Sequence, residues 1–186
     1  REILEVALAE SGKGSVVAED LGSIPDFVRE CMQELDVPGY KVLRWEWTDG
    51  APIDPRDYPE CSIATTGTHD TDTLVAWWRG LSGPQRSAIL SLLGEAAGAE
   101  PPAELAGELR ERILARLYEA GSRHVILPIQ DLFGWEERIN LPATISAENW
   151  SFRMPVAIEE LAEEYRDVTD RLRTSIDGAG RLRTMT

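Results

Sequence analysis

Two cysteines in 186 residues, Cys31 and Cys61, are too few for a disulfide framework and show no thiolate metal spacing. Cys31 falls on the apolar face of an expected helix, where a buried free thiol is the ordinary outcome. No apolar run approaches the length of a membrane span, and the N-terminal REILEVALAESGKG lacks the layout of a signal peptide. No initiator Met is present, so the chain is expected to begin inside an element. Positive charge is scarce: 19 Lys and Arg stand against 33 acidic residues, a net charge of −14. Such a surface repels nucleic-acid phosphates and anionic membranes and suits a neutral or cationic ligand, so neither nucleic acid nor a membrane is expected as a partner. Internal repeats and low-complexity tracts are missing. So are the G-x-S-x-G nucleophile elbow, the phosphate loop and the dinucleotide fingerprint. What remains is ordinary: 42% apolar and 28% charged residues describe a soluble globular chain of one domain, consistent with a cytoplasmic enzyme.

The stretch richest in chemistry is Ile63–Asp72, IATTGTHDTD. An apolar, β-favouring run stops at Gly67, and His69 and Asp70 follow at once. Thr71-Asp72 then opens an amphipathic run, Thr73–Arg79, with Leu74, Val75, Trp77 and Trp78 on its apolar side. The pattern predicts strand, tight turn and helix, which places Asp70 near helix amides that favour negative charge. The commoner role for Asp70 and Asp72 in such a place is to cap the helix.

The rest of the chain alternates. Residues 1–11 read as the end of a helix, stopped by Gly12 and Gly14. Ser15–Ala18 is a short apolar strand with Glu19 and Asp20 at its end. Ser23 caps a helix with Phe27, Val28, Cys31, Met32 and Leu35 on its apolar face. Lys41–Trp47 is the next strand, and residues 48–60, with three prolines and four acidic residues, read as a loop. Beyond the central strand and helix, Ser82-Gly83-Pro84 starts a second helix. Gly94–Pro102 is a linker, Glu104–Glu119 a helix, His124–Leu127 a strand carrying Gln130 and Asp131 past its end, and Glu136–Trp150 a polar loop. A last helix runs over Val156–Leu172, followed by a weak tail at 174–186. Strands alternating with helices predict a parallel α/β sheet. Four strands are too few for a closed eight-stranded barrel of about 250 residues, so the pattern fits either a small open sheet or part of a barrel.

Three carboxylates follow three strands: Glu19, Asp70 and Asp131. Carboxylates converging from different strand ends are what glycosyl chemistry uses, one as a proton donor of raised pKa and another as a permanent anion beside an oxocarbenium ion. Glu19, flanked by Val16, Val17, Ala18 and Leu21, suits the first role, because an apolar setting disfavours the charged form. Asp70 suits the second. Six tryptophans and four tyrosines supply faces on which sugars stack, although core packing is the usual use of such residues. A metal held by His69, Asp70 and Asp72 is a weaker reading, since one His with two Asp is not specific.

Five ordered segments then carry a resemblance: AEDLG (Ala18–Gly22), VPGYKVLRW (Val37–Trp45), TGTHDTDT (Thr66–Thr73), PIQDLFG (Pro128–Gly134) and ERINLPAT with NWSFR (Glu137–Arg153). Together they resemble the C-terminal half of the 4-α-glucanotransferases, the amylomaltases or disproportionating enzymes. The resemblance implies the C-terminal part of an amylase-type (β/α)8 TIM barrel, about four strands with flanking helices, spanning residues 1–186, with a helical insertion at 82–122 and a tail at 174–186. It implies transfer of α-1,4-glucan segments between maltodextrins with retention, through a covalent glucosyl-enzyme and without metal or organic cofactor. The implied partners are a maltooligosaccharide or α-glucan substrate and the N-terminal half of the barrel.

By motif, Glu19 matches the family's general acid/base and Asp70 its transition-state-stabilising aspartate. His69 matches a sugar-binding neighbour and Asn140 a residue lining the substrate groove. Two positions depart from the family: Thr71 stands for Asn and Ala143 for Gly. No counterpart of the arginine-containing segment with the nucleophilic aspartate occurs in the chain, which therefore reads as a fragment. A non-catalytic α-glucan-binding or assembly module and an α-glucan hydrolase are the rival readings.

Overall fold

The structure is a computed structural model and describes residues 1–96, 98 and 100–182. Its centre is a three-stranded parallel sheet in the order β1 (Gly39–Val42), β4 (Ser62–Thr65), β5 (His124–Val125). Gly39 pairs with Ser62 and Val42 with Thr65; on the other side Ile63 pairs with His124. All four residues of β4 are buried, as a middle strand covered on both faces must be. Helix α3 (Leu74–Gly80) follows β4 directly. Its N-cap is Thr73, whose hydroxyl accepts from the Ala76 amide at 3.4 Å. Trp78 on α3 is fully buried and donates its indole N–H to the Pro102 carbonyl at 3.0 Å.

Helix α4 (Gly83–Leu92) begins with the reciprocal Ser82–Gln85 capping box that Ser-Gly-Pro-Gln encodes. Helix α5 (Gly107–Tyr118) crosses back towards β5, and α8 (Arg166–Gly178) packs on it. Leu74, Trp78, Ile113, Leu114 and Leu117, none more than 2% exposed, form the centre of the core with Ala64 of the sheet. Each such side chain contributes about 1.5–3 kcal/mol on burial. Among the described residues no helix is long and apolar enough to cross a membrane.

Several expected boundaries move. Ser15–Ala18 is not a strand: it makes one ladder-like bond, Ala18 N–H to the Pro38 carbonyl at 3.0 Å. The next amide on β1, that of Tyr40, is taken at 2.7 Å by the Asp20 carboxylate, so pairing stops there. Gly39 permits this, since a β-carbon on it would lie 2.5 Å from Asp20 Oδ1. Helix α2 (Asp26–Glu34) starts at Asp26 with Pro25 rather than Ser23 at its N-cap, and Phe27 is 70% exposed. Strand β1 begins two residues before the expected Lys41 and ends at Val42. There Arg44 folds back and donates to the Thr66 carbonyl at 2.9 Å, closing the ladder.

The expected loop at 48–60 contains a hairpin of β2 (Trp47–Thr48) and β3 (Ala51–Pro52). Asp49-Gly50 turns it with φ of 50° and 79°, the paired positive angles that this dipeptide favours. The expected helix Val156–Leu172 breaks into α7 (Ile158–Glu164) and α8 at Tyr165. The Tyr165 ring packs against Phe133 at 4.9 Å and its hydroxyl accepts from the Trp135 indole at 3.0 Å. That anchorage fixes a non-helical residue at the break. Helix α8 reaches Gly178, into the expected tail, and residues 183–186 of that tail lie outside the described residues, as do 97 and 99 of the expected linker.

Candidate active site

The site lies just past the C-terminal ends of β4 and β5. After β4 the chain must turn sharply, and hydroxyls hold the turn. The Thr65 hydroxyl donates to the Gly67 carbonyl at 2.8 Å, and the Thr71 hydroxyl donates to the Thr68 carbonyl and accepts from its amide, both at 3.0 Å. Thr71, which stands where Asn is usual, thus serves as a turn staple. A β-carbon at Gly67 would crowd the Thr71 hydroxyl and lie 2.7 Å from Arg44 Nη2, so both side chains would have to give way. The guanidinium of Arg44 sits 5.4 Å from the Trp77 ring, a cation–π contact.

Asp70 does not cap α3; Thr73 does, and the first α3 amide, that of Leu74, is bonded by Asp131. The expected proximity of Asp70 to helix amides is therefore replaced by another donor: Asn140 Nδ2 donates to Asp70 Oδ1 at 2.6 Å. His69 Nε2 lies 3.4 Å from the same oxygen, and the side chains of both residues are 41% exposed. Asp72 is no cap either, pairing with Arg138 at 2.5 Å.

Arg138 is not legible in the sequence as a site residue, yet it locks the two loops together. It also donates to the Asp70 carbonyl at 3.0 Å and to the Asn140 carbonyl at 2.9 Å. The Asn140 amide donates to the His69 carbonyl at 3.2 Å. Its one sequence signal is its place two residues before Asn140. Trp150 closes the loop, its ring centroid 5.1 Å from that of His69, with φ of 62°. Ala143, where the resembling family has Gly, adopts φ of 60°. The left-handed backbone that a glycine serves is kept at this position without the glycine.

Glu19 and His69 line one cavity of about 290 Å³, together with Tyr40, Ile126, Pro128 and Gln130. The apolar enclosure expected for Glu19 is not met: Glu19 is exposed, and Val17 is 41% exposed. Residues 15–19 lie beside β1 at the margin of the three-stranded sheet, and among the described residues no strand lies beyond them. Asp131 departs further. It is 1% exposed on helix α6 (Ile129–Phe133), and both its oxygens are spent on structure. Oδ1 accepts from the Leu74 amide at 2.6 Å and Oδ2 from the Thr66 hydroxyl. Burial lifts its carboxyl above the ordinary range, while Thr66, Leu74, Arg44 and Arg110 pull it down.

Asp131 joins the end of β4 to the start of α3 instead of meeting Glu19 and Asp70. Asp131→Ala strands two buried donors at about 1–3 kcal/mol each, so a loss of about 3 kcal/mol or more is expected in urea denaturation. Asp131→Asn, which keeps an acceptor for Leu74, is expected to lose about half as much or less. An alanine variant as stable as the parent would refute the assignment. Among the described residues, no group of three or more His, Cys, Asp or Glu side chains is placed to hold a metal ion; His69, Asp70 and Asp72 are not so arranged.

A family model described as 4-alpha-glucanotransferase matches residues 1–159. A 4-alpha-glucanotransferase of Chlamydia pneumoniae is 33% identical over 174 residues, 87% of this chain and 32% of the relative. The chloroplastic/amyloplastic 4-alpha-glucanotransferase of Solanum tuberosum is 29% identical over 180 residues, 94% of this chain and 30% of the relative. An amylomaltase from Streptococcus agalactiae in complex with acarbose superposes with a TM-score of 0.77 at 24% identity, covering 98% of this chain and 35% of that one. The chain thus spans about a third of the length of the relatives it matches, and its fold is that of part of an amylomaltase barrel.

Proposed function

Because this chain belongs to the 4-alpha-glucanotransferase family, we propose that it is the acid/base-bearing part of an enzyme that moves α-1,4-glucan segments between maltodextrins with retention of configuration. Glu19 protonates the departing glycosidic oxygen and later takes the proton from the acceptor 4-hydroxyl. Asp70 lies beside the sugar ring and stabilises the oxocarbenium charge, while His69 and Asn140 hold the ring and the aspartate. The nucleophile that forms the covalent intermediate is supplied by barrel residues outside these 186. The observation that carries the reading is the single loop cluster in which Asn140 binds Asp70, His69 abuts Asp70, and His69 and Glu19 share a cavity at the strand ends. Maltodextrins are the substrate class this supports, and acarbose, bound by the Streptococcus agalactiae amylomaltase, is the matching probe. We place the enzyme in the cytoplasm, where free thiols such as Cys31 and Cys61 persist.

The test is disproportionation of maltotriose by the complete enzyme. Glucose and longer maltooligosaccharides are expected to accumulate while total reducing ends stay constant. Rising reducing ends would make it a hydrolase, and binding without products a non-catalytic module. The 186-residue chain alone is expected to show no turnover.

A further inference from the structure

Asp72 stands two residues past Asp70 in the strand-end turn. It caps no helix and joins no metal-ligand group among the described residues, yet it holds a charged partner. That partner, Arg138, comes from the loop that carries Asn140 and sends each guanidinium nitrogen to a different target. Nη1 donates to Asp72 Oδ1 at 2.5 Å, Nη2 to the Asp70 carbonyl at 3.0 Å and Nε to the Asn140 carbonyl at 2.9 Å. The fork therefore ties the backbone of Asp70 to the backbone of Asn140. These are the two residues whose side chains meet, Asn140 Nδ2 on Asp70 Oδ1 at 2.6 Å, and the Asp70 carboxylate accepts no other hydrogen bond among the described residues. Where Asn140 stands thus sets where the carboxylate points. Asn140 is placed by Arg138 and by its own amide, which donates to the His69 carbonyl at 3.2 Å. The side chains of Arg138 and Asp72 are 30% and 53% exposed, and an ion pair this open contributes little to folding. Its value lies in placement, since a reacting group displaced by about 1 Å can cost about 10²-fold in rate.

We propose that Arg138, held in turn by Asp72, is a positioning residue for the transfer reaction: it joins the Asp70 and Asn140 loops and so aims the Asp70 carboxylate at the sugar. This deepens the transferase reading and rests on it. Arg138→Met keeps the apolar stem and removes all three bonds. It is expected to lower kcat on maltotriose about 10-fold or more while KM stays within about threefold. Asp72→Asn, which keeps an acceptor but loses the charge, is expected to cost about threefold. Arg138→Lys keeps a charge for Asp72 without the planar fork and is expected to fall between the two.

The experiment is a double-mutant cycle in the complete enzyme, with Arg138→Met on one side and Asp70→Asn on the other, read as kcat and KM on maltotriose alongside the melting temperature. If Arg138 acts through the Asp70 carboxylate, its loss is expected to cost no more than about twofold once that carboxylate is gone. Arg138→Lys takes its place in the cycle if the methionine variant does not fold. The same factor lost in both backgrounds, or a lowered melting temperature with normal kcat in the folded enzyme, would overturn the proposal. An Asp70→Asn enzyme of near-normal turnover would remove the aspartate from the chemistry, and the proposal with it. A parent enzyme that transfers nothing from maltotriose would instead overturn the transferase reading itself.

Discussion

Asp70→Asn in the complete enzyme is expected to leave a folded protein whose kcat and kcat/KM both fall about 10²- to 10³-fold, the usual loss when one preorganised electrostatic group is removed from a transition state. The structure makes this a clean substitution. Asp70 accepts one side-chain bond, from Asn140 Nδ2, and an asparagine oxygen accepts it as well. The helix start that Asp70 was eligible to cap is held by Thr73 and Asp131. Stability is therefore expected within about 1 kcal/mol of the parent by thermal denaturation, with ground-state binding little changed. Turnover above about a tenth of normal, less than about 1.4 kcal/mol of barrier, would remove Asp70 from the chemistry.

Glu19→Gln is expected to cut transfer from maltotriose by about 10²–10⁴-fold, the usual worth of positioned general acid–base help. Among the described residues the Glu19 carboxylate makes no hydrogen bond or ion pair, and the residue is exposed at the cavity rim. No structural role competes with the chemical one, so the melting point is expected to stay close to that of the parent. Steady-state turnover of the purified variant settles it. A Glu19→Gln enzyme within about threefold of the parent on maltotriose would show that the proton comes from elsewhere.

The sequence was most informative where one element obeyed one period. The buried run into β4, the glycine turn and the apolar side of α3 appeared where they were expected, and so did the helix start at Ser82. Local pattern failed where a side chain replaced a backbone partner. Asp20 takes the Tyr40 amide and cancels the strand at Ser15–Ala18, and Arg44 takes the Thr66 carbonyl and shortens β1. The same limit applies to carboxylates. Asp131 follows a strand just as Asp70 does, and only the contacts with Thr66 and Leu74, 65 and 57 residues away in the chain, separate a structural group from a catalytic candidate. Arg138 clamps residues 66 and 68 positions away, a pairing no local window contains. The Asp49-Gly50 hairpin was missed: its dipeptide is a hairpin signal, but the three prolines around it made residues 48–60 read as a loop.

Glu19 and Asp70 divide the labour: Glu19 moves a proton and Asp70 supplies charge. The most direct measurement compares both variants on maltotriose and on α-glucosyl fluoride, whose leaving group departs without a proton. Formation of the glucosyl-enzyme from the fluoride is expected to be near normal in Glu19→Gln and still about 10²-fold or more depressed in Asp70→Asn, because the oxocarbenium charge develops whatever departs. Equal losses on both donors in the Glu19 variant, or recovery of the Asp70 variant on the fluoride, would contradict it.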